Sequence, residues 1–130
     1  MRLTGKVAIV TGASTGIGRA IAAAYAREGA HVAICSRTIS EGEETAAAIQ
    51  AGGGDVIYVQ ADVSAMDDAQ GLVEETVDRW GRLDVLCNNA GASFGVPNAV
   101  HTYDEGAWMK TIDVNLNGIF RISKALIPLM

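Results

Sequence analysis

Cysteine is scarce, with Cys35 and Cys87 the only two in 130 residues. Two scattered thiols make neither a disulfide framework nor the paired spacing of a zinc site, so no metal is expected. Both fall in strand-like runs and are expected to be buried free thiols, which suits a reducing, cytoplasmic setting. Basic residues are also few: Lys and Arg total 10 against 15 Asp and Glu, for a formal net charge of −5. No basic cluster stands anywhere along the chain, which argues against nucleic acid or an anionic membrane surface as partner. No apolar run approaches the roughly 18–20 residues of a membrane helix, and no basic-then-apolar leader opens the chain. Linkers, repeats and low-complexity tracts are missing too, and Gly52-Gly53-Gly54 reads as a loop. With 49% hydrophobic and 19% charged residues, the composition is that of a globular chain with room for one domain.

Glycine, by contrast, is plentiful, and Thr11-Gly12-Ala13-Ser14-Thr15-Gly16-Ile17-Gly18 places three glycines in one short stretch. The stretch follows Lys6–Val10, an apolar run of the kind buried on both faces of a parallel sheet. It opens into Ile17, Ala20, Ile21, Ala24 and Tyr25 at helical spacing. Glycines at such a strand-to-helix turn allow a tight bend, close approach of a ligand, and close packing of helix on strand. The free amides and partial positive charge of the helix N-terminus suit a pyrophosphate. The spacing is G-x-x-x-G-x-G, and no Lys-Ser or Lys-Thr follows it. Neither the commoner G-x-G-x-x-G fingerprint nor a P-loop therefore applies, and a purely structural glycine turn stands as the alternative.

Strand-like runs at Lys6–Val10, His31–Cys35, Asp55–Val59 and Leu83–Cys87 alternate with helical segments at Gly16–Glu28, Ser40–Ala51 and Met66–Trp80. Gly29, Gly52 and Gly81 are placed to end those helices. A last helical region runs from Thr102 to the final residue, with Thr102 and Glu105 at capping-box spacing. The alternation predicts an α/β fold: a doubly wound parallel sheet, Rossmann-like, in three layers α/β/α.

In such folds the residue ending the second strand decides between nicotinamide cofactors. A carboxylate there pairs with the ribose 2′-hydroxyl of NAD, whereas a basic residue accommodates the 2′-phosphate of NADP. Here Cys35 is followed by Ser36-Arg37-Thr38, without an acid. Arg37 offers a planar, permanently charged fork for phosphate, with Ser36, Thr38, Ser14 and Thr15 as further donors. NADP is the expected cofactor and NAD the second choice; a solvated surface arginine is the plain alternative. Asn115 lies mid-helix, where asparagine ordinarily prefers a cap or turn. It marks a kink or a buried polar role, or else a helix-bending residue bonded to backbone.

Together these motifs resemble the short-chain dehydrogenases/reductases, from about Leu3 to the end of the chain. Thr11–Gly18 matches that family's T-G-x-x-x-G-x-G, which implies cofactor contacts at Gly12, Ser14, Thr15, Gly16, Ile17 and Gly18. Asp62-Val63 is similar to the family's adenine-contacting pair, Asp62 bonding the adenine amino group. Asn88-Asn89-Ala90-Gly91 matches N-N-A-G, which in the family stabilises the sheet and lies along the cofactor, here at Asn89, Ala90 and Gly91. Asn115 matches the asparagine that holds a water of the family's proton relay. The resemblance implies strand order 3-2-1-4, a homo-oligomer, and hydride transfer between NADP(H) and a small alcohol or carbonyl substrate.

The chain departs from the family at its tyrosine and lysine. Tyr25, Tyr58 and Tyr103 are followed four residues on by Gly29, Asp62 and Ala107, so no Y-x-x-x-K exists. The expectation is a cofactor-binding half: residues 1–130 as one dinucleotide-binding domain, incomplete at its C-terminal end, with the later strands absent. A non-catalytic dinucleotide-binding or regulatory fragment is the competing reading, and a purely structural one the third. In this half-fold the fourth strand would carry an unpaired outer edge beside Val85 and Leu86. Ile119, Phe120, Leu126, Ile127 and Met130 would need a partner surface.

Overall fold

The computed structural model describes residues 1–130. Four parallel strands, β1 (Val7–Thr11), β2 (His31–Ser36), β3 (Asp55–Gln60) and β4 (Val85–Cys87), form one sheet in the order β3-β2-β1-β4. The crossovers are α1 (Gly16–Arg27), α2 (Ile39–Ala51) and α3 (Met66–Trp80); α4 (Glu105–Ile112) and α5 (Gly118–Leu126) follow β4. β1 is central and completely buried, which is why its sequence is apolar without alternation. Alternate side chains nevertheless serve different layers. Val7 and Ile9 pack with Leu72 and Val73 of α3 and Ile122 and Leu126 of α5. Val10 packs on the other face with Ala22 of α1 and Ala46 and Ile49 of α2. The expected doubly wound, three-layer arrangement and strand order are thus observed. From β1 the connections run outward on one side through β2 and β3, then return to β4 on the other. The carboxyl ends of β1 and β4 therefore flank a topological switch point, where open sheets of this kind form a crevice.

Several local expectations change. The final helical region starts at Asp104, whose carboxylate accepts from the Ala107 amide at 2.7 Å, and not at Thr102, whose hydroxyl donates back to Ala99. Gly52 ends α2 as expected, though with a negative φ, and the left-handed residue is Gly53 just after it. Cys87 is only half-buried, because β4 is an outer strand with a partner on one side, whereas Cys35 is fully enclosed in β2. Leu126 needs no external partner: it is wholly buried between α5 and the sheet, while Phe120, Ile127 and Met130 stay exposed.

The opposite end of β1 is tied to the approach to β4 by Asp84. Its carboxylate accepts from the Val7 amide at 2.9 Å and from Arg82 at 2.8 and 2.6 Å, while its own amide donates to the Val7 carbonyl. The Arg82 guanidinium, then the Val7 amide, hold the Asp84 carboxyl down from the usual 3.8 to about 2. A carboxylate whose folded value is lowered stabilises the fold fully above its unfolded value and ceases to do so as pH falls through the folded one. The thermal midpoint should therefore fall between about pH 4 and pH 2 more steeply in the wild type than in Asp84→Asn. Parallel curves for the two proteins would refute the assignment.

Candidate functional site

The carboxyl ends of β1, β2, β3 and β4 open on one cleft of about 240 Å³. It is lined by Gly12, Ser14 and Thr15 after β1, Ser36, Arg37 and Thr38 after β2, Asp62 and Val63 after β3, and Ala90 and Gly91 after β4. Ten of the sequence-derived candidates thus meet in one place although they come from four separate connections.

Thr11 holds the walls together. Its buried hydroxyl accepts from the Ala90 amide at 2.9 Å and the Asn89 amide at 3.1 Å, and donates to the Cys87 carbonyl at 3.4 Å. The Asn89 side-chain amide returns the link, donating to the carbonyls of Thr11 and Gly12 at 3.0 and 3.1 Å. Asn89 therefore lies behind the cleft wall as a clamp between β1 and β4, and is not among the lining residues.

The glycines of the turn are required by contact. Gly12 has φ +61°, and a Cβ there would lie 2.7 Å from Ala90 Cα. A Cβ on Gly18 would overlap the Gly12 carbonyl oxygen and come within 2.5 Å of Asn89 Nδ2. Gly18 thus lets α1 seat against the strand ends, so that its N-terminus points at the cleft. Gly16 and Ile17 stand outside it at the start of α1, and the Ile17 side chain is exposed.

Arg37 is exposed on the loop after β2, free to turn into the cleft. Burial pushes the Asp62 carboxyl up, but the Ser64 hydroxyl and amide, and more distantly Arg37, outweigh it and keep the group below its ordinary value. Both Ser64 bonds fall on Asp62 Oδ1, at 2.6 and 2.9 Å, leaving Oδ2 without a protein partner. Cys35 also lines the cleft, and burial pushes its thiol up to about 12, so it contributes no thiolate.

Asn115 falls in a π-helical turn, Asp113–Asn117, that joins α4 to α5. Its side-chain amide donates to the carbonyls of Ala92 and Thr111, and its Oδ1 accepts from the Ala92 amide at 3.2 Å. A Cβ on Gly91 would lie 2.6 Å from that Oδ1. Kink and backbone bonding are therefore both present: Asn115 fastens the segment leaving β4 to the helix behind it. Such one-turn π bulges are frequent at functional sites. Arg121 spans the turn to Asp113 at 2.6 Å, and that bond holds the Asp113 carboxyl below its usual range. Sequence reasoning did not single out Ala61, Ala92 or Val114 as lining residues. Small apolar residues carry no chemical signature, and only the packing reveals them.

The sequence profile described as short chain dehydrogenase matches residues 6–130, and the chain belongs to that family. Among curated relatives, glucose 1-dehydrogenase 2 of Bacillus subtilis is 40% identical over 124 residues, 95% of this chain and 48% of that protein. The 3-oxoacyl-[acyl-carrier-protein] reductase of a Synechocystis strain is 40% identical over 129 residues, covering 98% and 51%. A crystal structure of a short-chain dehydrogenase/reductase from Burkholderia xenovorans superposes with a TM-score of 0.92 at 39% identity, over 99% of this chain and 52% of that one. The chain spans about half the length of the curated relatives it matches. The family consists of oxidoreductases that use NAD(P), and the cleft fits such a group: crowded glycines at a helix N-terminus, an arginine, and a carboxylate oxygen with no protein partner. No helix is long and apolar enough to cross a membrane.

Thr11→Val would strip the Ala90 amide of its acceptor at nearly constant side-chain volume. Leaving that half-buried amide without its acceptor should cost about 1 kcal/mol. Denaturant melts measure this, and an unchanged midpoint would show that the clamp contributes nothing.

Proposed function

We propose that this chain forms the NADP(H)-binding half of an oxidoreductase that interconverts an alcohol and a carbonyl compound. The observation that carries the reading is Arg37 on the loop that follows β2, at a cleft where that loop supplies no carboxylate. The α1 N-terminus, with Gly12, Ser14, Thr15, Gly16, Ile17 and Gly18, would receive the pyrophosphate. Arg37, Ser36 and Thr38, with the Ser14 and Thr15 hydroxyls as further donors, would receive the 2′-phosphate, and Asp62 Oδ2, beside Val63, the adenine amino group. Ala90 and Gly91 would run along the nicotinamide side, with Asn89, the third candidate of that motif, holding them from behind the wall. Bound there, the cofactor supplies the hydride; the protein supplies position and a proton path. Asn115 fixes the segment beginning at Gly91, and its place at a π turn suits the relay water that the resemblance assigns to it. We assign residues 1–130 to one dinucleotide-binding domain, open at the outer edge of β4, within a cytoplasmic homo-oligomer. The exposed Trp108, Met109, Leu116 and Phe120 on α4, the π turn and α5 support the oligomer.

A charge-assisted contact to phosphate is worth about 1.5–3 kcal/mol, or roughly ten- to a hundredfold in affinity. Arg37→Ala should weaken NADPH by that factor and leave NADH unchanged, as read by titration of each cofactor. Equal NADPH affinity in both proteins would sink the assignment.

The competing reading, a dinucleotide-binding fragment without catalysis, draws on the lack of Y-x-x-x-K in these residues. The 130-residue polypeptide alone should accordingly bind NADPH yet show no carbonyl-dependent oxidation of it above background. Clear turnover that survives both Asn115→Ala and stringent purification would overturn this account of the catalytic groups.

A further inference from the structure

The loop that carries Arg37 is held from beneath by β3. The Tyr58 hydroxyl donates to the Ser36 carbonyl at 3.0 Å and lies 3.2 Å from Ser36 Oγ. Ser36 Oγ donates to the Thr38 carbonyl, and Gln60 Nε2 to the Arg37 carbonyl, each at 3.2 Å. Side chains thus engage all three carbonyls of Ser36-Arg37-Thr38. The Tyr58 ring reaches this position because α2 has glycine at 42: a Cβ there would overlap the ring. Glycine inside a helix is unfavourable relative to alanine, so the seat for the ring supplies the reason for its presence. Three residues along α2, buried Thr45 donates to the Ser14 carbonyl at 2.6 Å. The α2–β3 pair therefore grips both cofactor loops, but through separate bonds.

We infer that Tyr58 is a positioning residue for cofactor choice: seated beneath α2 through Gly42, its hydroxyl fixes the Ser36–Thr38 backbone so that Arg37 is presented to a 2′-phosphate. The inference rests on the NADP reading above. An exposed arginine loses rotamer freedom on binding, and a loop already fixed limits the further ordering to the side chain. Thr45 acts on the Ser14 turn, which would meet the pyrophosphate common to both cofactors.

NADPH and NADH are titrated into the full-length protein and its variants, with binding followed by nucleotide fluorescence and folding by thermal melts. Tyr58→Phe keeps the ring and removes the hydroxyl. It should weaken NADPH roughly three- to tenfold, the worth of one neutral hydrogen bond, and leave NADH unchanged. Gln60→Ala, at an exposed position, should show the same selectivity without challenging the fold. Thr45→Val should weaken NADH as well as NADPH, because the turn it holds would meet the pyrophosphate of both. A Tyr58→Phe protein that loses both cofactors equally, or neither, while Arg37→Ala remains selective, would overturn the inference and leave the NADP reading standing. If Arg37→Ala is itself unselective, the NADP reading fails first, and the two failures are distinct.

Discussion

The cleft exists because two strands distant in sequence are fastened at their carboxyl ends. Thr11 and Asn89 exchange bonds across β1 and β4, linking residues 78 apart in sequence. Without the Thr11 hydroxyl the Ala90 amide would lose its acceptor, and the turn after β4 one of its ties to β1. A buried hydroxyl can do this because it accepts and donates at once, which an apolar residue of the same shape cannot. No buried side-chain nitrogen or oxygen lacks a partner, so this polar seam sits in an apolar layer without the penalty of an orphaned group. At the other end of β1, Asp84 performs the matching task toward β4. The short outer strand, three residues long, is thus anchored at both ends by side chains rather than by ladder bonds alone.

Glycine contributes by what it leaves out. Gly12, Gly18 and Gly91 each sit where a single added carbon would meet backbone or side chain at less than van der Waals distance. The three contacts are connected: Gly18 bears on Gly12 and Asn89, Gly12 on Ala90, and Gly91 on Asn115. A change at one therefore shifts the approach of α1, the β4 turn and the π turn together. The motif spacing in the sequence is the linear trace of this packing, which is why it differs from other glycine patterns that cradle phosphates over a different turn.

How much of this was legible beforehand follows from where the information resides. The strands and first three helices were, because apolar runs and helical periodicity are local properties that burial on two faces amplifies. Strand order came through the family resemblance and not through the residues. The start of α4 was misplaced because Thr102 and Asp104 are both good caps, and only the geometry of the Val100–Thr102 turn selects between them. The burial of Leu126 and the partial exposure of Cys87 depend on which strand lies outermost, which no local window contains. Asn115 was legible as an anomaly, an asparagine within a helix, but its partners at Ala92 could not be read off because they lie 23 residues away. Tyr58 gave no signal at all: a half-buried tyrosine in a strand is unremarkable until the glycine above it is seen.

The arrangement also separates two tasks physically. Affinity for any dinucleotide would rest on the β1–α1 turn and its link to β4, all built from backbone amides, glycines and buried polar clamps. Choice between dinucleotides would rest on the β2–α2 loop, which is exposed and held by side chains of β3. Nothing in the first set touches Arg37, and nothing in the second touches Thr11 or Asn89. The two meet at the β1–β2 ladder, where the Ala13 amide donates to the Cys35 carbonyl, and in α2, which bonds the Ser14 carbonyl from its middle and seats the Tyr58 ring one turn earlier. Substitutions on the loop can thus alter charge recognition without disturbing the seam, whereas substitutions in the seam would weaken the site for any dinucleotide. That asymmetry follows from burial: an exposed loop residue exchanges one hydrated state for another at small cost, while a buried clamp residue leaves unpaired groups behind.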